Sequence, residues 1–337
     1  MAKQINIGMI GAGRIGKLHT RNLSFQIPDA NVTAISDVVL AAAQQCAAEC
    51  HIPNVQADYR ALLEDKTIDA VFICSSTDTH SQIIGEAAAA GKHIFCEKPI
   101  DFDLGRIDAA LAAVQQAGVK LQIGFNRRFD PSFEHARDLV KEGKIGTPHI
   151  VRITSRDPAP PPVSYVKVSG GLFLDMTIHD FDMCRYLAGE EVTEVYAAGL
   201  CLIDPEIAKA GDIDTAVIML TYQSGAFCTI DNSRQAVYGY DQRIEVFGSE
   251  GCIVVGNRSP YEGMLSRKDT VQTPLPLYFF LERYNESFIE EARQFIRCVK
   301  EDTPPLVSGM DGKIPVIMGL AAQQSLREHR PVKVISK

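Results

Sequence analysis

The stretch "INIGMIGAGRIGKLHT", residues 5–20, decides the fold. An almost wholly apolar run ends at Ile10, glycines follow at 11, 13 and 16, and Arg14 to about Phe25 reads as a helix. A GxGxxG spacing gains a mechanism only when it follows a strand and opens a helix, and here it does both. In that setting Gly11 allows a tight turn, Gly13 lets the backbone approach a pyrophosphate, and Gly16 lets helix and strand pack closely.

The next apolar run, "NVTAIS" at 31–36, leads into Asp37, about 20 residues past the last glycine. A carboxylate there accepts hydrogen bonds from the adenosine ribose and repels a 2′-phosphate, so the expected cofactor is NAD rather than NADP. No arginine follows Asp37 directly, in agreement. A glycine-rich turn in a domain that binds nothing is the alternative.

Outward from this point the pattern repeats. "DAVFICS" (69–75), "KHIFCE" (92–97) and "KLQIGF" (120–125) are further short apolar runs, with helical stretches at 38–50, 80–91 and 104–118 between the runs. Strands alternating with helices imply right-handed crossovers and a parallel sheet, and unbroken apolar strands imply burial on both faces. From "PHIVRITSRD" (148–157) strands dominate: "TEVYAAGL", "TAVIMLTYQSG", "AFCTIDNSRQA" and "RIEVFGSEGCIVVG" read as neighbouring antiparallel strands, with "QSG" and "GSEG" as turns. One helix is expected near 177–187 and two more near 282–300 and 311–328. The expected fold is therefore α/β followed by α+β: a doubly wound Rossmann domain over 1–125, and over 126–337 an open, mostly antiparallel sheet with helices on one face. That second part is the expected substrate-binding and oligomerisation domain, and its late helices could pack back on the first.

The totals narrow the function classes. A chain of 337 residues with 46% hydrophobic and 23% charged residues is an ordinary two-domain globular protein. Its net charge is −8 and no Lys/Arg cluster stands out, which argues against nucleic acid. No apolar run is long enough to span a membrane, and "MAKQINIGMI" lacks the features of a signal peptide, so the expected place is the cytoplasm. The nine cysteines form no CxxC pair and read as small buried hydrophobes.

Two further segments carry chemistry. "FCEKP" (95–99) ends a strand whose carboxyl end opens on the expected cofactor crevice, and Lys98 there can stabilise negative charge developing on oxygen. Spacing alone does not separate this from a surface lysine before a strand-stopping proline. In "DMTIHDFDMCRYL" (175–187) Asp175 and His179 are four apart, so a helix places them on one face. Histidine suits proton transfer near neutral pH, and a carboxylate one turn away can orient it. The plainer reading makes Asp175, Asp180 and Asp182 caps or a solvated face and His179 a core histidine. A D-x-x-x-H pair can also ligate a metal, but no third ligand is obvious and none is expected.

Taken together, "GAGRIGKLHTRNL", "ISD", "CSSTDTH", "CEKP", "GFNRRFDP" and "GGLFLDMTIHDFDMCRYL" resemble, in order and spacing, the Gfo/Idh/MocA oxidoreductase family over essentially the whole chain. The "DMTIHDFDM" string, "SRDPAPPP" and "YGYDQRIEVFGSEG" are most similar to members that oxidise inositols. The resemblance implies Lys98, Asp175 and His179 as catalytic residues, with His179 taking the hydroxyl proton and Pro99 preceded by a cis peptide. It implies cofactor contacts at Gly11, Gly13, Arg14, Ile15, Gly16, Asp37, Ser75, Ser76, Thr77, His80, Glu97 and Lys98. Substrate contacts fall on Lys98, Arg127, Asp157, Asp175, His179 and Tyr240; "YFFLERYNESF" (278–288) receives no role. The implied reaction is oxidation of myo-inositol at C2 with hydride passing to C4 of NAD⁺. A different cyclic polyol or sugar, such as scyllo-inositol or glucose, is the alternative substrate, and a non-catalytic NAD-binding regulator is the remote one. An open sheet also leaves one face to bury, so a homo-oligomer is expected, and by resemblance a tetramer.

Overall fold

The computed structural model describes residues 4–335. The chain forms two compact units, Met1–Phe129 with Glu286–Lys313, and Asp130–Asn285 with Ile314–Lys337. They are not two consecutive stretches: a late segment of chain belongs with the first unit rather than with the 126–337 stretch.

The first unit alternates β1 (Ile5–Ile10), α1 (Arg14–Gln26), β2 (Ala30–Ser36), α2 (Leu40–Cys50), β3 (Asn54–Gln56), α3 (Arg60–Glu64), β4 (Ala70–Ile73), α4 (Thr77–Ala89), β5 (His93–Glu97), α5 (Leu104–Ala117) and β6 (Leu121–Gly124). All pairings are parallel, in the order β3-β2-β1-β4-β5-β6. This is the doubly wound dinucleotide-binding order, which reverses between β1 and β4. Strand β3 has no apolar run to announce it; it is a three-residue edge strand with only Val55 partly buried. The core joins Ile7, Met9, Ile35, Phe72 and Phe95 of the sheet to Leu23, Cys46 and Cys50 of the helices. Phe295 from the late segment joins that core, edge-on to Phe72 and Phe95 at 5.4 and 5.9 Å.

In the second unit come α6 (Pro131–Lys141), β7 (Pro148–Arg156), α7 (Val163–Val166), α8 (Gly171–Asp175), α9 (Thr177–Ala188), β8 (Val192–Leu200), α10 (Pro205–Lys209), β9 (Thr215–Tyr222), β10 (Phe227–Ser233), β11 (Asp241–Gly248) and β12 (Cys252–Val255). A short ribbon, β13 (Leu265–Ser266) and β14 (Val271–Gln272), precedes α11 (Phe280–Arg283), α12 (Asn285–Glu301), α13 (Gly309–Glu328) and β15 (Val332–Lys333). Helix α12 lies almost wholly in the first unit, and α13 begins there and continues in the second.

The second sheet has the order β12-β11-β7-β10-β9-β8-β15. Every pairing is antiparallel except β7 with β10. Strands β10 and β11 are therefore not neighbours, as the sequence pattern implied, because β7 lies between them. Their connection is no tight turn: Arg234 N donates to Asp214 O at 2.8 Å and Ala236 N to Asp157 O at 2.6 Å, which carries the chain off the sheet. Alternation along β9 buries Ala216, Ile218, Leu220 and Tyr222, while Val217 and Met219 stay exposed. Phe227, Phe247 and Val254 of β10–β12 are exposed too. Helix α9 packs on β7 and β10.

A buried ion pair ties the start of this unit to its late part. Asp130 caps α6 by accepting from Ser132 N and Phe133 N, and it accepts from Arg283 Nη1. The Arg283 guanidinium lies over the rings of Phe133 and Tyr284, at 5.3 and 4.7 Å. Removing one partner strands a charge in the core. Arg283→Met is expected to cost about 3–5 kcal/mol in urea unfolding, with a smaller added loss when Asp130→Asn is combined with it; additive losses would show that the pair does not couple.

Candidate active site

In the first unit, β1 delivers the chain into Gly11, whose φ of +100° suits glycine alone. A Cβ on Gly11 would stand 2.5 Å from Cys74 O, and one on Gly16 would stand 2.0 Å from Gly11 O. Both glycines are thus required by the turn itself. Gly13 is different: nothing lies within 4 Å of the place its Cβ would take. It is the N-cap of α1 and makes no side-chain cap hydrogen bond, and the start of a helix is where backbone N–H groups and the helix dipole favour an anion.

Asp37 follows β2, with Oδ2 accepting from Ala12 N at 2.6 Å and Oδ1 from Val39 N at 2.7 Å. Its carboxylate is fixed to the glycine turn, and each oxygen keeps a second lone pair for a ribose hydroxyl. Ser75, Ser76 and Thr77 form the turn from β4 into α4, on the other side of the strand-order reversal, with the Ser75 hydroxyl 2.7 Å from that of Thr79.

Lys98 stands between two anchored neighbours. On one side the Glu97 carboxylate pairs with His19 Nε2 at 2.8 Å. His19 is buried among the rings of Phe72, Phe95 and Phe288, and its Nδ1 meets no hydrogen-bonding atom. A Cβ on Gly124 would come within 3.1 Å of the Glu97 carboxyl and crowd it. On the other side the Lys98–Pro99 peptide is cis, as the resemblance implies, and Pro99 O lies 2.8 Å from His80 Nδ1, whose Nε2 lies 3.0 Å from Ser75 O. Burial pushes His80 below the usual imidazole range, against the two carbonyl bonds that favour its charge. Glu291 of α12 lies 3.7 Å from His19, and burial plus the Glu97 charge pushes its carboxyl well up. His19, Glu97 and Glu291 could by residue type ligate a cation. Arg127 is buried in the 3₁₀ turn Asn126–Phe129.

In the second unit the helix expected through "DMTIHDFDM" is broken. Asp175 ends α8 and His179 belongs to α9; Met176 between them keeps a right-handed backbone, and His179 N reaches Met176 O at 3.3 Å. From Leu172 to Arg185 every residue is buried except Asp175 and His179. Asp180 and Asp182, which the plainer reading makes caps or a solvated face, lie in the core. Asp180 Oδ2 accepts from Asn232 Nδ2 at 2.9 Å, and Thr177 Oγ1 donates to Asn232 Oδ1 at 2.5 Å.

Both Asp175 oxygens are engaged. Tyr165 Oη donates to Oδ1 at 2.8 Å and Arg234 Nη2 to Oδ2 at 2.9 Å. The same guanidinium reaches Asp157 Oδ2 through Nη1 at 3.3 Å, so Asp157 and Asp175 share one arginine. Gly170 and Gly171 have φ of +83° and +80°, and Asp212 Oδ1 accepts from Leu172 N at 3.0 Å at the start of α8. Burial, reinforced by the Asp175 charge, pushes the Asp212 carboxyl up. Tyr240 lies late in the connection that Arg234 opens, its ring edge-on to Tyr284 at 6.0 Å.

Arg234, Tyr165, Asp212 and Asn232 were not among the expected site residues. One signal for two of them lies in β10: alternation turns Cys228, Ile230, Asn232 and Arg234 inward, and polar side chains on a buried strand face need partners.

Residues 5–125 match the model of an oxidoreductase family with an NAD-binding Rossmann fold, and residues 133–254 match the GFO/IDH/MocA C-terminal domain. An uncharacterized oxidoreductase of Bacillus subtilis is 53% identical over 99% of this chain and 98% of its own length. A myo-inositol 2-dehydrogenase of Thermotoga maritima is 51% identical over 98% of each chain. The crystal structure of a scyllo-inositol dehydrogenase from Lactobacillus casei, with bound NAD(H) and scyllo-inositol, superposes with a TM-score of 0.93 at 33% identity over 98% of this chain and 99% of that one. The glycine geometry separates two substitutions. Gly13→Ala is expected to weaken NAD binding in calorimetry about tenfold or more while leaving Tm unchanged, whereas Gly16→Ala lowers both; equal effects on Tm would contradict the assignment.

Proposed function

Because the chain belongs to the Gfo/Idh/MocA oxidoreductase family, we propose that it is an NAD-dependent inositol 2-dehydrogenase that oxidises myo-inositol at C2 to the 2-keto-inositol. The observation that carries the chemistry is that Asp175 and His179 alone are only partly buried in an otherwise buried helical stretch. NAD⁺, when bound, supplies a hydride acceptor at nicotinamide C4. Gly11, Gly13, Gly16 and the start of α1 would hold its pyrophosphate, Asp37 its ribose, and Ser75–Thr77 the far side of the crevice.

The chain's own groups handle the proton and the hydroxyls. His179 takes the proton from the C2 hydroxyl as the C2–H bond breaks, so its imidazole must be neutral beforehand. Lys98 orients the reacting oxygen and stabilises the negative charge it develops. Asp175 fixes the alcohol and the histidine. Arg127, Asp157 and Tyr240 would meet the remaining hydroxyls of a neutral ring. Such a site rejects epimers because a misplaced hydroxyl leaves buried polar groups unpaired.

The proposal extends to place and assembly. The enzyme acts in inositol breakdown in the cytoplasm, as a homotetramer. No helix among the described residues is long and apolar enough to cross a membrane. The exposed side chains of Val217, Met219, Phe227 and Phe247 supply the apolar face for sheet-to-sheet packing between subunits. A second reading, scyllo-inositol as substrate, is favoured by the 33%-identical Lactobacillus casei relative.

Spectrophotometric assay of NADH formation over a polyol panel tests the function. Myo-inositol is expected to give the highest kcat/KM; reduction of NAD⁺ with no inositol would refute the substrate class. His179→Ala is expected to lower kcat by about 10²- to 10⁴-fold, and an unchanged kcat would remove its role as base. Light scattering coupled to size exclusion should return a tetramer that Met219→Glu breaks down; a wild-type monomer would rule out the assembly.

A further inference from the structure

Arg234 is a buried charged group that bridges two of the proposed substrate residues, Asp157 and Asp175. It follows β10, and its backbone N donates to Asp214 O at 2.8 Å, so the base of the side chain is pinned. Its two terminal nitrogens go to different elements: Nη2 to Asp175 at the end of α8 and Nη1 to Asp157 just past β7. Burial works against the guanidinium charge, but Asp175 and Asp157 outweigh it.

A guanidinium is a rigid planar fork with fixed spacing between its nitrogens, whereas a lysine ammonium is a point charge on a flexible stem. One fork holding one oxygen from each of two carboxylates therefore sets their separation and relative tilt. Without it two like charges would move apart or one would take up a proton, turning an acceptor into a donor. Tyr165 holds the second Asp175 oxygen, so the rotation of that carboxylate is fixed as well.

We propose that Arg234 is a positioning residue that sets Asp157 and Asp175 as a matched pair of hydrogen-bond acceptors for two hydroxyls of a cyclic polyol, and thereby sets the choice between ring epimers. This rests on the proposed function, because it presumes a polyol substrate. Arg234 itself accepts no proton and transfers none. Its effect is on which hydroxyl pattern finds both acceptors satisfied.

The experiment compares the wild type, Arg234→Lys, Arg234→Met and His179→Ala for NADH formation with myo-inositol and scyllo-inositol, with NAD affinity measured by calorimetry. Arg234→Met is expected to lower kcat/KM for the preferred inositol about 10²-fold, largely through KM, with NAD affinity unchanged. Arg234→Lys keeps the charge and folds with less strain; it is expected to recover part of kcat/KM while the ratio between the two epimers moves towards one. A lysine variant that binds NAD normally and keeps the wild-type KM and epimer ratio overturns the inference, even if the methionine variant fails to fold. In that outcome an inactive His179→Ala leaves the proposed function standing. A wild type that oxidises no polyol overturns the function and this inference together.

Discussion

A single side-chain amide, that of Asn232, is shared by the helix bearing His179 and by the sheet beneath it. Its oxygen accepts from Thr177, and its nitrogen donates to Asp180 and to the Ser155 carbonyl of β7. All of these groups are buried, where a satisfied polar network is strong and an unsatisfied one costly. Sliding or rotating α9 on the sheet would break several of these bonds at once. Asp175 and His179 therefore stand on a helix pair with one allowed setting. Their partial access to solvent follows from that setting, since every other residue from Leu172 to Arg185 is buried.

The first unit solves the same problem for Lys98 by a different route. Its two neighbours in the chain are anchored: Glu97 is bonded to a buried histidine and Pro99 O to another. His80 further ties that peptide to the Ser75 carbonyl, at the turn expected to meet the cofactor. In both units, groups read as catalytic are held by buried polar partners that have no chemistry of their own to perform.

What could be read from the chain tracks what is local. The glycine turn and the Asp175/His179 pair depend on spacings of a few residues, Asp37 on its place at the end of the next strand, and a strand–helix alternation sufficed for the parallel sheet. The partners of Arg234 lie 59 and 77 residues away, and no local pattern names them. Asp180 and Asp182 resembled a solvated face because charge ordinarily marks the surface; here they lie on buried faces of the helix. The placing of β7 between β10 and β11 is likewise decided by which core a face covers. An amphipathic pattern shows that α12 has a buried face, not that Phe295 meets Phe72 and Phe95.

The central claim is that the C–H bond broken is the one at C2 of an inositol and that its hydrogen leaves as hydride for nicotinamide C4. Myo-inositol deuterated at C2, turned over with NAD⁺ and read by proton NMR of the reduced cofactor, measures this directly. The account predicts one deuterium at C4 of each reduced nicotinamide. Reduced cofactor without deuterium, with the label still in the ring or lost to water, would contradict it.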